Sequence, residues 1–270
     1  MAEMSDLDLL VETVLAGGRY RTVHPDLVRR IGARELAVRK SFKEAVKATR
    51  SQLHQVGGAY QEKQIPYDAH IRTLETLSND LSDPSVRSFC TKLMGEHTST
   101  RERLPILDTF YETLLKPLLP INSIADLACG LNPLALPWMP LSPKTRYLAC
   151  DIYSDMLSFI QQFFDHFNQP IETGMCDLTD FTLPEPVQVA LLLKTIPCLE
   201  HLDKDIGRKL ISTLPAEHLI VSFPAHSLGG RSKGMPATYE ARFMELIDGT
   251  GWQTERHLFS SELVFVLHRS

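Results

Sequence analysis

Three aspartates, Asp126, Asp151 and Asp177, fall at the ends of successive apolar, β-rich runs. Asp126 and Gly130 bracket the end of the first run in Asp126-Leu-Ala-Cys-Gly130, Asp151 closes the second, and Asp177 follows a third, weaker one. A carboxylate at the second position can accept from both hydroxyls of a ribose, and one at the third can accept from an adenine amino group. Glycine at 130 lets a ligand approach the backbone closely. An acid at a strand end is often only a turn former, but three at successive ends predict a nucleoside site. Ala128, Ile152 and Leu178, beside these acids, are assigned to the same site. Leu131-Asn132-Pro133 supplies neither the second nor the third glycine of G-x-G-x-x-G, so a pyrophosphate has no close backbone approach. No G-x-x-x-x-G-K-[ST] string occurs, which excludes a phosphate-cradling P-loop.

The elements that must position these acids read as alternating strands and helices from about residue 105 onward. Strands are expected over Ser123–Ala128, Arg146–Ile152, Ile171–Cys176, Val187–Leu193 and His218–Phe223. Helices are expected over Ser154–Phe167, capped by Ser154, over Lys204–Leu214 and over Ala237–Ile247. Gln253–Phe259 and Glu262–His268 read as a closing antiparallel hairpin. That order matches a Rossmann-like, seven-stranded α/β sheet of the class I S-adenosylmethionine-dependent methyltransferases. Asp126–Gly130 is a variant of the D-x-G-x-G loop of that class. In such a sheet, ligands bind beyond the carboxyl ends of the strands, where the strand order switches.

The first hundred residues read as helical, so the chain divides into a helical segment, 1–104, and a cofactor-binding segment, 105–270. One helix is expected to start at Pro25, with Gly32 read as an interruption. A second is expected from about Ala33 to Val56, with Val38, Phe42, Val46, Leu53 and Val56 on its apolar face. Arg39, Lys40, Lys43, Lys47 and Arg50 form a basic stripe along it. Ten basic residues face only three acidic ones between Arg19 and Arg50, although the whole chain carries −5. A polyanion would therefore meet one end of the protein. No apolar run approaches the ~20 residues that span a bilayer, and the acidic start lacks a secretory pattern. The five cysteines, Cys90, Cys129, Cys150, Cys176 and Cys198, contain no C-x-x-C pair and predict reduced thiols in a cytoplasmic protein.

Four longer strings resemble the aminoglycoside-resistance 16S ribosomal RNA (guanine-N7) methyltransferases. They are His97-Thr-Ser-Thr-Arg-Glu-Arg-Leu-Pro105, Asp126-Leu-Ala-Cys-Gly-Leu-Asn-Pro-Leu134, Leu191-Leu-Leu-Lys-Thr-Ile-Pro-Cys-Leu-Glu200 and Ser222-Phe-Pro-Ala-His-Ser-Leu-Gly-Gly-Arg-Ser-Lys-Gly-Met235. The resemblance implies methylation of N7 of guanine 1405 in helix 44 of the 30S subunit, by a monomer. It implies lost binding of 4,6-disubstituted 2-deoxystreptamine aminoglycosides. S-adenosylmethionine would be the methyl donor and S-adenosylhomocysteine the product, with no metal and no membrane partner. Arg103 matches the family arginine that pairs with the cofactor carboxylate, and His97 and Arg101 are assigned beside it.

Guanine N7 keeps a free lone pair at neutral pH, so alkylation there needs positioning and electrostatics but no general base. Lys194 leaves the fourth strand at the reacting face. Arg231 and Lys233 in a glycine-bracketed loop would hold phosphates of the target nucleotide, and Met235 would pack on its flipped base. His201 stands where the family pattern often has arginine; it can still donate one hydrogen bond. Cys198 lies in a C-x-x-H pair that lacks two further ligands for a metal. On a ribosomal RNA enzyme the basic stripe becomes a docking surface that meets phosphates. Removing residues before Leu104 is then expected to leave cofactor binding intact and abolish subunit methylation. Two other readings remain open here: a methyltransferase for a small molecule or another RNA atom, and a non-enzymatic ribosome-binding factor with a vestigial pocket.

Overall fold

Strands β1 (Ser123–Leu127), β2 (Arg146–Asp151), β3 (Ile171–Met175), β4 (Val187–Leu193), β5 (Ala216–Pro224), β6 (Trp252–Leu258) and β7 (Glu262–Arg269) form one sheet in the order β3-β2-β1-β4-β5-β7-β6. This computed structural model describes residues 4–58, 60, 63–226 and 234–269. The first five strands are parallel, and β7 inserts antiparallel between β5 and β6. In β4, Val-Gln-Val-Ala-Leu-Leu-Leu, every residue but Gln188 is buried, as a central strand covered on both faces requires. Because β1 lies between β2 and β4, the winding direction reverses there, and the loops after β1, β2, β3 and β4 converge on that switch point. All seven strands lie within two residues of their predicted bounds.

Helices cover both faces. The chain runs α1 (Asp6–Leu15), α2 (Pro25–Val38), α3 (Phe42–Leu53), α4 (Tyr67–Leu74), α5 (Pro84–Met94), α6 (Thr98–Arg103) and α7 (Leu107–Leu115) before the first strand. Then α8 (Ser154–His166) follows β2, α9 (Ile196–Leu199) and α10 (Ile206–Thr213) follow β4, and α11 (Met235–Ile247) follows β5. One buried cluster takes in Leu10, Leu27, Phe110, Phe163 and Ile124; a second, across the sheet, takes in Leu127, Leu210, Phe243 and Phe265. The first cluster therefore joins residues on both sides of position 104.

The amino-terminal helices break at a different place from the predicted one. Helix α2 runs straight through Gly32, where a side chain would collide with Leu10 of α1, so this glycine serves close helix packing. The break comes at Arg39–Ser41, and Ser41 caps α3 by accepting from the Glu44 N–H at 3.3 Å. Val38 is left 71% exposed at that turn and leaves the expected apolar face. A wider π-helical turn, His54–Gly58, closes α3.

Two further expectations are corrected. Helix α8 is preceded by Tyr153 and has no side-chain cap; the Ser154 N–H instead donates to the Thr22 carbonyl at 2.8 Å. The His24 N–H likewise donates to the Ile152 carbonyl at 2.8 Å, and Val23 and Tyr153 form an antiparallel bridge. The segment before α2 is thus stitched to the loop after β2. Second, not all five thiols are free. The pairing of β2 with β3 brings Cys150 and Cys176 to a Cα separation of 5.7 Å, and they form a disulfide. Cys90, Cys129 and Cys198 are free and buried. No helix among the described residues is long and apolar enough to cross a membrane.

Candidate cofactor and active site

The strand-end loops border a cleft of about 800 Å³ that opens to solvent. Its floor comes from the turn after β1, where Ala128 (φ 54°) and Gly130 (φ 52°) both adopt left-handed backbone. For alanine this conformation costs about 1 kcal/mol or more, and such strain gathers at functional turns. At Gly130 a Cβ would lie 2.9 Å from His97 Cε1, so glycine is needed twice over. The Gly130 N–H donates to Asp151 Oδ2 at 2.9 Å, and the Ile152 N–H donates to Oδ1 at 2.6 Å.

Those bonds fix the Asp151 carboxylate at the end of β2 and leave lone pairs on both oxygens. Burial pushes its pKa up to about 6, against the lowering effect of the backbone donors. Asp177 follows β3; its Oδ1 accepts from the Thr179 N–H at 3.0 Å and hydroxyl at 2.7 Å, while its Oδ2 pairs with Arg30 of α2. Ala128, Ile152 and Leu178 line the cleft with them.

Asp126 stands behind the wall and is not among the lining residues. Its Oδ2 accepts from Asn132 Nδ2 and from the Tyr147 hydroxyl, both at 2.8 Å. Burial raises its pKa to about 7, opposed by these donors. The Asn132 Oδ1 in turn accepts from Arg103 Nη1 at 2.7 Å and from the Tyr111 hydroxyl. Asp126 therefore reaches the cleft through Asn132 and Arg103.

Arg103 is only 1% exposed yet touches the cleft. It donates from Nη2 to Glu262 at 3.0 Å, and its Nε makes a 2.8 Å ion contact with the same carboxylate. Lys194, at the end of β4 with φ 57°, donates to the Ser99 carbonyl at 2.7 Å and to Glu102 at 2.8 Å. Its Nζ lies 3.4 Å from Glu262. Burial alone would raise the Glu262 pKa, but the two cations hold it below the ordinary carboxylate value. Sequence reasoning missed Glu262. The available signal was a charged residue opening the otherwise apolar run Leu-Val-Phe-Val-Leu.

His97 packs on Gly130 and stacks with Tyr60, ring centroids 6.0 Å apart. Burial, reinforced by the Lys194 and Arg103 cations, lowers its pKa to about 3, so the imidazole is neutral. Its Nδ1 is buried without a hydrogen-bond partner. Leu27, Val56, Gly57 and Tyr60 of the amino-terminal segment complete the wall, and sequence reasoning missed all of them. With acceptors at Asp151 and Asp177, an arginine at the other side and an orphaned imidazole nitrogen, the cleft suits a nucleoside joined to a charged amino acid.

Other predicted residues lie elsewhere. Arg101 is exposed and donates to Thr98 Oγ1 at 3.3 Å. His201 is exposed in the turn after α9. Met235 opens α11, half-buried and outside the lining. Arg231 and Lys233 fall outside the described residues. Of the basic stripe, Lys40, Lys43 and Lys47 are exposed, with Lys40 in the turn before α3. Arg39 pairs with Glu35 at 2.6 Å. Arg50 turns inward and donates to the Thr13 carbonyl of α1 at 2.8 Å.

Comparison with known proteins places this site in context. Residues 16–266 match the family model described as ribosomal RNA methyltransferase (FmrO). A 16S rRNA (guanine(1405)-N(7))-methyltransferase of Micromonospora rosea is 37% identical, with 97% of each chain covered. One of the same description from Serratia marcescens is 31% identical, with 96% of each covered. Among solved structures, the 16S rRNA methyltransferase RmtF in complex with S-adenosyl-L-homocysteine superposes with a TM-score of 0.84, at 29% identity and full coverage of both chains.

Proposed function

Because this chain belongs to the ribosomal RNA methyltransferase (FmrO) family, we propose that it methylates N7 of guanine 1405 in 16S ribosomal RNA and thereby confers aminoglycoside resistance. The observation that carries this reading is the cleft at the switch point, with Asp151 and Asp177 at adjacent strand ends. When bound there, S-adenosylmethionine supplies a sulfonium methyl group and leaves as S-adenosylhomocysteine.

The residues of this chain then do the work of placement. Asp151 accepts from the ribose hydroxyls and Asp177 from the adenine amino group. Arg103, held by Asn132 and Glu262, faces the cofactor carboxylate with a charge-assisted contact. Lys194 presents a fixed cation at the reacting face. His201, Arg231, Lys233 and Met235 are assigned to the target nucleotide, which must leave its helix to reach a buried methyl group. No base is assigned, since N7 carries no proton to remove. The substrate in this reading is helix 44 of the assembled 30S subunit in the cytoplasm. The working unit is a monomer of residues 105–270 with a docking extension, 1–104, that presents Lys40, Lys43 and Lys47 to phosphates.

The test is methyl transfer from labelled S-adenosylmethionine to purified 30S subunits, followed by reduction, aniline cleavage and primer extension. A single stop at guanine 1405 is expected. Label without aniline-sensitive cleavage would assign another atom, and absence of label would exclude the subunit as substrate.

A further inference from the structure

The amino-terminal helices reach the cleft at both of its acidic strand ends. Thr22 and His24 are hydrogen-bonded to Ser154 and Ile152, directly after Asp151. One turn apart on α2, Leu27 lines the cleft and Arg30 pairs with Asp177, as residues three apart share a helix face. The other arginines of α2 are engaged elsewhere: Arg29 with Asp8, at 2.7 Å, and Arg34 with the Leu202 carbonyl, at 3.0 Å. Asp177 is nearly closed to solvent, its side chain 6% exposed, while Arg30 is 28% exposed. A carboxylate so enclosed, held on Oδ1 by Thr179 and on Oδ2 by a guanidinium, has one orientation available.

We propose that Arg30 is a positioning residue of the adenosine subsite, fixing the Asp177 carboxylate from the docking helices. This rests on the cofactor reading given above. The segment that meets the ribosomal RNA then also builds the site for the base of the cofactor, and cofactor recognition draws on both halves of the chain.

Calorimetry with S-adenosylhomocysteine on the full chain tests it, using wild type, R30M, R30K, D177N and R30M/D177N, with the melting temperature of each unliganded protein. R30M is expected to weaken binding about tenfold, R30K to recover part of the loss, and R30M to add nothing in the D177N background. Unchanged or tighter binding by R30M would overturn the proposal. Equal losses in both backgrounds would overturn it too, since they would make Arg30 a structural brace independent of Asp177. If wild type itself bound no S-adenosylhomocysteine, the cofactor reading would fall and this assignment with it, a result distinct from a failure confined to R30M.

Discussion

Arg103 and Glu262 stand 159 residues apart in sequence and face each other in the core at 2.8 Å, each almost fully excluded from solvent. Removing one partner strands the other charge where water cannot reach it. E262Q is expected to lose about 3–5 kcal/mol of stability at pH 7, read by chemical denaturation. Because the folded pKa of Glu262 is lowered, its contribution is present above the ordinary carboxylate range and disappears as pH falls through the folded value. The gap between wild type and E262Q should therefore narrow in acid below about pH 4. A gap that stays constant with pH would show that the loss does not come from ionisation of Glu262, and no gap at pH 7 would show the pair to be energetically silent.

Asp151 gives the cofactor site a pH dependence. Its pKa in the free protein is raised to about 6 by burial, and hydroxyl donors favour its ionised form. Affinity for S-adenosylhomocysteine should rise as pH increases through about 6 and level off above it. D151N should bind weakly with a flat profile between pH 5 and 8, and a slope retained in that variant would assign the titration to another group.

At Gly130 the left-handed backbone and the His97 ring act together. G130A is expected to lose ~1–2 kcal/mol to backbone strain alone, with a further loss as His97 is displaced. Calorimetry should find cofactor affinity reduced at least tenfold, with more than that lost if His97 carries a contact. Wild-type affinity would show that the turn relaxes freely.

For the proposed docking surface, K43E/K47E should leave S-adenosylhomocysteine affinity within twofold of wild type, since neither side chain borders the cleft. Methylation of 30S subunits should fall about tenfold or more and become less steep in salt. A matching fall in cofactor affinity would remove the docking assignment.

Truncation reverses an expectation from sequence. Cutting before Leu104 would delete Leu27, Tyr60, His97 and Arg103 from the cleft wall. Residues 105–270 alone should give no heat with micromolar S-adenosylhomocysteine. Full-affinity binding by that fragment would contradict the wall seen here.

The central strand β4 was legible because it is apolar but for Gln188 and is followed by Lys194, and the period of side chains does not depend on distant partners. The acids at strand ends were legible for the same reason: a topology that is read correctly places them. What escaped was everything set by long-range contact. Gly32 looked like a breaker because its neighbour Leu10 is invisible in local sequence. Arg50 looked like part of an outward stripe because only the fold supplies Thr13 as its acceptor. Arg30 and Tyr60 carry no local signal for partners as distant as Asp177 and Cys198, 147 and 138 positions away.

The stitching of Thr22–His24 onto Ile152–Ser154 also limits modularity. A hybrid spliced at residue 104 from two relatives would join one parent's helices to the other parent's nucleoside loop, and the seam would run through the pocket itself. Recombination can exchange exposed side chains such as Lys43 freely, but Leu27 and Arg30 must travel with the loops they touch.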